Sequence, residues 1–248
     1  MTEVSQSIRL IARLAEVMSR PADHWPPEMT GLTTLPPDAV SGLYRGNRGA
    51  LFQKMLAIDL KLADIEIDDS FLVELRTIPD VAHAVRIACA PIAEIMVALR
   101  HLAACIYCKA VNGAVRKSDR DAMLDMLGAD GLLTAQRQAE VFWPSLSGLA
   151  TIKAGLAIAP NEAQASEGPW QRPSTSTAIT ERPPALQHAY AALLAHVSAL
   201  STTVSRILHA RLGAVPAAFG TQTLSPQQDR DIRDLLERKV PAWSTTIA

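Results

Sequence analysis

Residues 81–111 read VAHAVRIACAPIAEIMVALRHLAACIYCKAV, the most apolar stretch of the chain. Charged and imidazole side chains interrupt it, and each charge would cost roughly 2.5 to 3.5 kcal/mol near a bilayer centre. The stretch is therefore predicted to be a buried helix of a globular core, capped by Asp80 and with Pro91 as a kink or first turn. Its apolar stripe recurs at helical spacing and comprises Ile92, Ile95, Leu99, Leu102 and Ile106.

Two further amphipathic helices precede this stretch, separated by a proline-rich loop at residues 20–37. Residues 4–19 are predicted to present one apolar face, made of Ile8, Ile11, Ala15 and Met18. A second helical pattern runs from Asp38 to about Ile65, and one face carries Leu51, Met55, Ile58 and Leu62. The carboxylates Asp68 and Asp69 that follow are predicted to lie in a solvated acidic turn.

The sequence after residue 111 continues the helical pattern. Ser118 is predicted to cap a helix that closes on Gly128, and another helix is expected from near Asp130 to Phe142. Ser225-Pro226 is the expected start of the last helix. The most regular helix carries a heptad-like seam, predicted to pack in the core in preference to docking another subunit, and made of Leu186, Tyr190, Leu193, Val197, Leu200, Val204 and Ile207.

These patterns predict an all-α fold, an irregular multi-helix globular domain. Residues 1–159 form the N-terminal helical core, with a proline-rich loop near its start. Residues 160–184, rich in Pro, Ser and Thr, form a long flexible linker or loop. Residues 185–248 form C-terminal helices that pack on the same core.

Composition limits the classes of partner. Lys and Arg total 24 against 25 Asp and Glu, so the whole-chain charge of −1 favours neither nucleic acid nor an anionic membrane, local patches aside. Charged residues, among them Arg9 and Arg13, interrupt the first twenty residues, so no export signal is visible and a cytoplasmic location is expected. Three cysteines in such a chain are expected to be reduced thiols.

Cys105 and Cys108 form a CxxC pair, the spacing of redox-active dithiols. The segment partly resembles the AhpD/carboxymuconolactone decarboxylase family, which has a His four residues after the pair and a Glu about twelve residues upstream. Here Asn112 stands at the His position and Glu94 lies upstream. The alternative function is accordingly an AhpD-like thiol oxidoreductase that uses Cys105 and Cys108.

The residue pattern gives little support for a metal site, a nucleotide site or a nucleophilic serine. The six histidines show no zinc-protease spacing, and His101 with Cys105 is a single pair of potential ligands, which more often packs than binds metal. Motifs for nucleotide binding or a nucleophilic serine do not occur. We therefore expect no metal, no cofactor and no catalytic site. Tryptophans beside prolines can either cap a core or anchor an interface, and the sequence leaves both open. The candidate interface residues are Trp25, Trp143 and Trp243.

Four segments, in order along the chain, carry a second resemblance. The first is Arg20-Pro-Ala-Asp-His-Trp-Pro-Pro27, and a basic, small-residue segment covers residues 110–117. Phe142-Trp143-Pro144 precedes a helix with an embedded Gly-Leu at residues 152–156. The last is Leu235-Leu-Glu-Arg-Lys-Val-Pro-Ala-Trp243. Together these segments resemble the SctK family (YscK, PscK, OrgA, MxiK) of type III secretion systems.

The resemblance implies a non-enzymatic adaptor of the sorting platform. Such a protein bridges the cytoplasmic domain of the inner-membrane ring protein SctD and the pod protein SctQ. It lies at the cytoplasmic face of the inner membrane, held there through its protein partners. A third possibility is a helical scaffold protein that is unrelated to secretion. Only identification of its partners would distinguish it from the secretion adaptor.

Overall fold

The computed structural model describes residues 3–24, 47–59, 62, 65, 67–150, 183–213, 215, 219 and 222–240. Every regular element in these residues is helical, so the all-α prediction is confirmed. The α-helices are α1 Glu3–Ser19, α2 Pro21–His24, α3 Asn47–Asp59, α4 Asp69–Thr77, α5 Pro79–Cys89, α6 Ile92–Ile106, α7 Cys108–Asn112, α8 Lys117–Arg137, α9 Ala139–Phe142, α10 Pro184–Leu200, α11 Thr202–Leu212 and α12 Pro226–Lys239. A 3-10 turn, Pro144–Leu149, follows α9.

Helix α6 is the centre of the core. It is apolar on nearly every side, and a helix of that kind has to be covered all round. The helices α8, α10 and α12 and the 3-10 turn pack against it. Of the predicted stripe, Ile95, Leu99, Leu102 and Ile106 are at most 1 % exposed, which confirms it as a core face.

Pro91 separates α5 from α6 and is the N-cap of α6. The chain bends at Pro91 as predicted, but residues 81–111 form parts of α5, α6 and α7, so the prediction of a single helix was wrong. The residue before Pro91, Ala90, is extended with ψ of 149°, because proline pushes its predecessor out of the helical region. The chain bends by 109° between α5 and α6, which only together have the length and apolar composition of a membrane span. No single helix in the described part of the chain is long and apolar enough to cross a membrane.

The seam from Leu186 to Ile207 runs through two helices, so the prediction of one continuous helix was wrong. Ser201 breaks it with an extended backbone, and its hydroxyl accepts a hydrogen bond from the backbone N–H of Val204 at 3.4 Å. A serine that caps a new helix in this way competes with continuation of the old one. The seam nevertheless lies in the core, because Tyr190, Val197 and the other seam residues are buried, apart from the half-buried Leu200.

Two predicted helix starts were wrong, and one helix was not predicted. Asp68 caps α4, a helix that the sequence pattern did not reveal, by accepting a bond from the N–H of Phe71 at 2.9 Å. Asp80 lies inside the first turn of α5 because Ile78 is its N-cap. Ser118 lies inside α8, whose N-cap is Arg116 and lacks a side-chain cap bond.

Two other helix-end predictions are confirmed. The helix that begins at Lys117 breaks direction at Gly128, which has φ of 72°. Ser225 starts α12 with a complete capping box, in which its hydroxyl and the Gln228 side chain each accept a bond from the other residue's N–H.

The apolar face predicted for α1 was partly wrong, because Ile11 and Met18 are half-buried against the core but Ala15 is exposed. Leu10, Leu14 and Val17 are at most 3 % exposed and pack toward α5, whereas Ile8 is 56 % exposed. Both sides of this helix carry aliphatic residues, so contacts with residues distant in sequence decide which side is buried. The short helix Pro21–His24 lies where the sequence predicted loop.

Helices from both ends of the chain share one core. Leu193 of α10 and Leu235 of α12 belong to the same buried cluster as Leu14 of α1 and Leu99 of α6. Most of the loop predicted at residues 20–37 and of the linker predicted at residues 160–184 lies outside the described residues.

Candidate interaction surfaces and the buried thiols

Cys105 and Cys108 are both buried in the core, at 0 % and 1 % exposed. Burial raises the pKa of the Cys105 thiol far above its ordinary value, and the neighbouring Cys108 raises it further. Burial and then the carboxylate of Glu140 raise the pKa of Cys108. Because the thiolate is the reactive form, this environment suppresses the chemistry of a redox dithiol.

Tyr107, one of the two residues between the thiols, contacts a histidine, a contact that the sequence did not predict. The hydroxyl of Tyr107 lies 2.6 Å from Nδ1 of His188, and the ring of Phe219 stacks on His188 with centroids 5.1 Å apart. The imidazole therefore contacts the phenol, and Asn112, at the position where AhpD-like proteins have their His, is exposed. This arrangement is a buried aromatic and polar contact between the α6–α7 junction and α10.

His101 uses its ring for packing as well. Its Nδ1 atom lies 3.0 Å from Oγ1 of Thr134, and that hydroxyl donates its proton to the carbonyl of Asp130. The histidine nitrogen must then be the donor to Oγ1. Burial lowers the pKa of His101 to about 4, so the ring is neutral at pH 7. In the described ranges no group of three metal-ligating side chains forms around it or elsewhere.

Of the three tryptophans predicted as interface anchors, the structure describes Trp143 and leaves Trp25 and Trp243 outside the described residues. Trp143 is 2 % exposed, and its indole N–H donates to Oδ2 of Asp234 at 2.8 Å. This contact joins the segment after α9 to α12. Its ring is thus a core element here, while its neighbour Phe142 is 50 % exposed.

The longest exposed apolar row in the described helices lies on α3. Leu51, Met55 and Ile58 are 60 %, 61 % and 61 % exposed, at positions i, i+4 and i+7. The sequence predicted that they share a face with Leu62, but Leu62 lies beyond the end of α3 and is 3 % exposed. The sequence did not predict that the rest of this face is open to solvent. Leu56, at 8 % exposed, is buried instead. We call Leu51, Met55 and Ile58 the α3 stripe.

A second exposed pair adjoins the C-terminal helix. Val141 and Phe142 are 70 % and 50 % exposed at the end of α9. The guanidinium of Arg238 lies 5.3 Å from the centre of the Phe142 ring and also pairs with Asp234 at 2.9 Å. An aromatic ring beside an arginine is a composition typical of protein interfaces.

A polar cleft of about 450 Å³ lies between α4 and the junction of α10 with α11. Most of its lining consists of hydroxyl and charged side chains, among them Ser70, Glu74, Ser198 and Arg206. Asp68 also lines it, but this carboxylate already acts as the cap of α4. The hydrogen bonds from the Phe71 N–H and the Ser70 hydroxyl lower its pKa. The buried hydroxyl in its lining, that of Ser201, caps α11 by accepting a hydrogen bond from the backbone N–H of Val204.

Comparison with protein-family models, with curated proteins and with solved structures yields no match to this chain.

Proposed function

We propose that this chain is a non-enzymatic adaptor that binds other proteins, and that it serves the sorting platform of a type III secretion system. In this role it bridges the cytoplasmic domain of the ring protein SctD and the pod protein SctQ at the cytoplasmic face of the inner membrane. The assignment to this platform rests on the sequence segments that resemble the SctK family.

The observation that carries the binding role is the α3 stripe. Three large aliphatic side chains about 60 % exposed in one row on a helix leave apolar surface in water, which is unfavourable unless a partner covers it. Spacing of i, i+4 and i+7 is the pattern with which a helix inserts into an apolar groove of another protein. The exposed α3 stripe therefore supports the proposal that a partner protein binds this helix.

The buried thiols favour this proposal over the AhpD-like oxidoreductase. A dithiol that cycles between reduced and oxidised forms needs a reachable sulfur and a depressed pKa. Cys105 and Cys108 have the opposite properties, since both are buried and both pKa values are raised.

Co-purification of the tagged full chain with identification of partners by mass spectrometry tests the proposal. We expect recovery of ring and pod proteins with the native chain and with Cys105→Ala/Cys108→Ala. Met55→Glu/Ile58→Glu should reduce the recovery of at least one of them. Val73→Glu is the matched control, because Val73 on α4 is similarly exposed at 57 % and lies outside the stripe.

Two outcomes would contradict the proposal. Unchanged recovery of the ring and pod proteins with Met55→Glu/Ile58→Glu would show that the α3 stripe is not part of the interface. Absence of secretion proteins, together with a reductase or peroxidase captured as a cysteine-dependent mixed disulfide, would favour the oxidoreductase instead.

A further inference from the structure

We propose that the loop between α7 and α8 binds an anionic lipid surface directly. Here the basic loop means residues 109–120, which comprise the end of α7, the connection at Gly113–Arg116 and the first turn of α8. This contact would be additional to any protein partner, and it does not depend on the adaptor role.

The basic loop carries the most exposed large apolar residue among those described. Val115 is 83 % exposed, at the connection between the two helices. Four cations flank it at exposed positions, namely Lys109, Arg116, Lys117 and Arg120. An apolar side chain surrounded by long cationic ones is the composition of segments that lie at a membrane interface.

Charge is concentrated in this loop. Its four cations and the carboxylate of Asp119 give residues 109–120 a net charge of +3, although the whole chain has −1, so the remainder carries −4. None of the four cations forms an ion pair with another described residue. Arg120 donates a hydrogen bond to the carbonyl of Ala114 at 3.0 Å, which leaves its charge uncompensated.

Cations of the basic loop lower the stability of α8, the helix that they begin. Arg116 occupies the N-cap of α8 without a capping bond, where Ser, Thr, Asp or Asn would stabilise the helix. Lys117 and Arg120 place positive charge at the helix end that disfavours it. Positions where the sequence departs from local stability in this way are expected at functional sites.

A lipid surface fits these features better than a protein does. A stable protein interface buries about 800 Å² on each partner around a packed apolar centre. The basic loop offers one valine and no described groove, whereas lipid phosphates need only mobile cations and a small apolar wedge. A single loop of this size gives reversible binding, not permanent anchoring.

Vesicle co-sedimentation of the full chain tests this inference. The probes are vesicles of phosphatidylcholine alone and of phosphatidylcholine with about one third phosphatidylglycerol, at low and high salt. We expect binding to the anionic vesicles only, and loss of it at high salt. Each cation that reaches the surface contributes about fivefold in partition coefficient, so Arg116→Gln/Lys117→Gln should weaken binding roughly 25-fold.

Arg76→Gln/Arg137→Gln is the matched control, because it removes the same charge from exposed arginines elsewhere. It should bind anionic vesicles almost as well as the native chain does. Val115→Ser keeps the charge and should lower binding several-fold. Circular dichroism of each variant verifies that it is folded.

Three results would overturn the inference. One is failure of the native chain to bind anionic vesicles, and another is an equal loss in the Arg116/Lys117 and Arg76/Arg137 variants. The third is loss of an acidic protein partner in the Arg116/Lys117 variant while vesicle binding is unchanged. Because the vesicles contain no protein, the first two outcomes are independent of the co-purification result.

Discussion

The Nδ1 atom of His196, near the C-terminal end of the core helix α10, lies 2.6 Å from Oδ1 of Asp229 at the start of α12. The His196 ring is buried, and a carboxylate can only accept, so Nδ1 donates the hydrogen bond. His83 of α5 meets His196 edge to face with ring centroids 5.7 Å apart. Beside them Arg233 of α12 pairs with Asp80 of α5 at 2.5 Å. Together these side chains join three helices that are distant in sequence.

Acid should destabilise the fold through His83. Burial first, and then the neighbouring His196 and Arg233, lower the pKa of His83 to about 4 from the 6.5 expected in an unfolded chain. Between these values the unfolded chain binds more protons, so the free energy of unfolding falls as pH is lowered from 6.5 toward 4. The expected slope is up to about 1.4 kcal/mol per pH unit for this group.

Urea unfolding of native chain and His83→Gln at pH 7, 6 and 5 measures this contribution. The variant should show a shallower decline, although His101 and the carboxylates still titrate. His209→Gln, on the exposed side of α11, is the matched control. An identical pH dependence in His83→Gln and the native chain would contradict the prediction.

Arg211 should be essential for docking the N-terminal segment. Its guanidinium is 1 % exposed and donates to the carbonyls of Ala88, of Ala90 at 3.1 Å and of His24 at 2.7 Å. Arg211→Met leaves these acceptors without their donor and should cost roughly 3 kcal/mol or more. Arg211→Lys should rescue little, because an ammonium cannot present the planar fork that reaches three carbonyls.

Urea unfolding and hydrogen exchange measure the effect of Arg211. Exchange in α1 and α2 should accelerate more than exchange in α6, since His24 belongs to the N-terminal segment. Arg206→Met, on the exposed side of the same helix, should cost much less. Full stability in Arg211→Lys would show that the charge matters and the fork does not.

Gly128 should not tolerate a side chain. Its φ of 72° and ψ of 171° lie in a region that is essentially restricted to glycine. Space is not the obstacle, because the nearest atom to an added Cβ is a side-chain nitrogen of Arg100 at 4.0 Å. Gly128→Ala should therefore destabilise the protein by about 1–3 kcal/mol through backbone strain alone.

Gly148→Ala is the control for this substitution. Gly148 lies in the 3-10 turn without a positive φ, and an added Cβ there meets only the Gln228 side chain at 3.7 Å. Thermal or urea unfolding should show a small change at Gly148 and a large one at Gly128. Equal changes in the free energy of unfolding for the two substitutions would contradict the prediction. They would indicate that the backbone at residue 128 becomes helical in Gly128→Ala and that α8 straightens.

The sequence predicted what repeats locally and missed what depends on distant contacts. The stripe of α6 and the capping box at Ser225 were predictable, because a periodic apolar face and a Ser-Pro start each act within one helix. The buried face of α1 was not predictable, since aliphatic residues lie on two sides. The exposure of the α3 stripe was missed for a similar reason, because periodicity identifies a face but not what covers it.

The polar contacts of the core were equally hidden. His196 and Asp229 are separated by thirty-three positions, and Tyr107 and His188 by eighty-one. Neither pair has a spacing that suggests contact, because the fold alone brings them together. The CxxC pair shows the reverse case, in which a recognisable motif lies in an environment that opposes its usual chemistry.

The thiols should resist modification in the folded protein. Cys89, Cys105 and Cys108 are all buried, and burial raises the pKa of Cys89 to about 12. At pH 8 iodoacetamide should therefore label them slowly in buffer and completely in urea, because unfolding restores both access and an ordinary thiol pKa. Mass spectrometry of the labelled peptides over time measures each rate, and the rates should rise in Gly128→Ala as the population of unfolded chain grows. Rapid labelling of Cys105 or Cys108 in the native chain would place a reactive thiol at the surface, which neither the burial nor the raised pKa values allow.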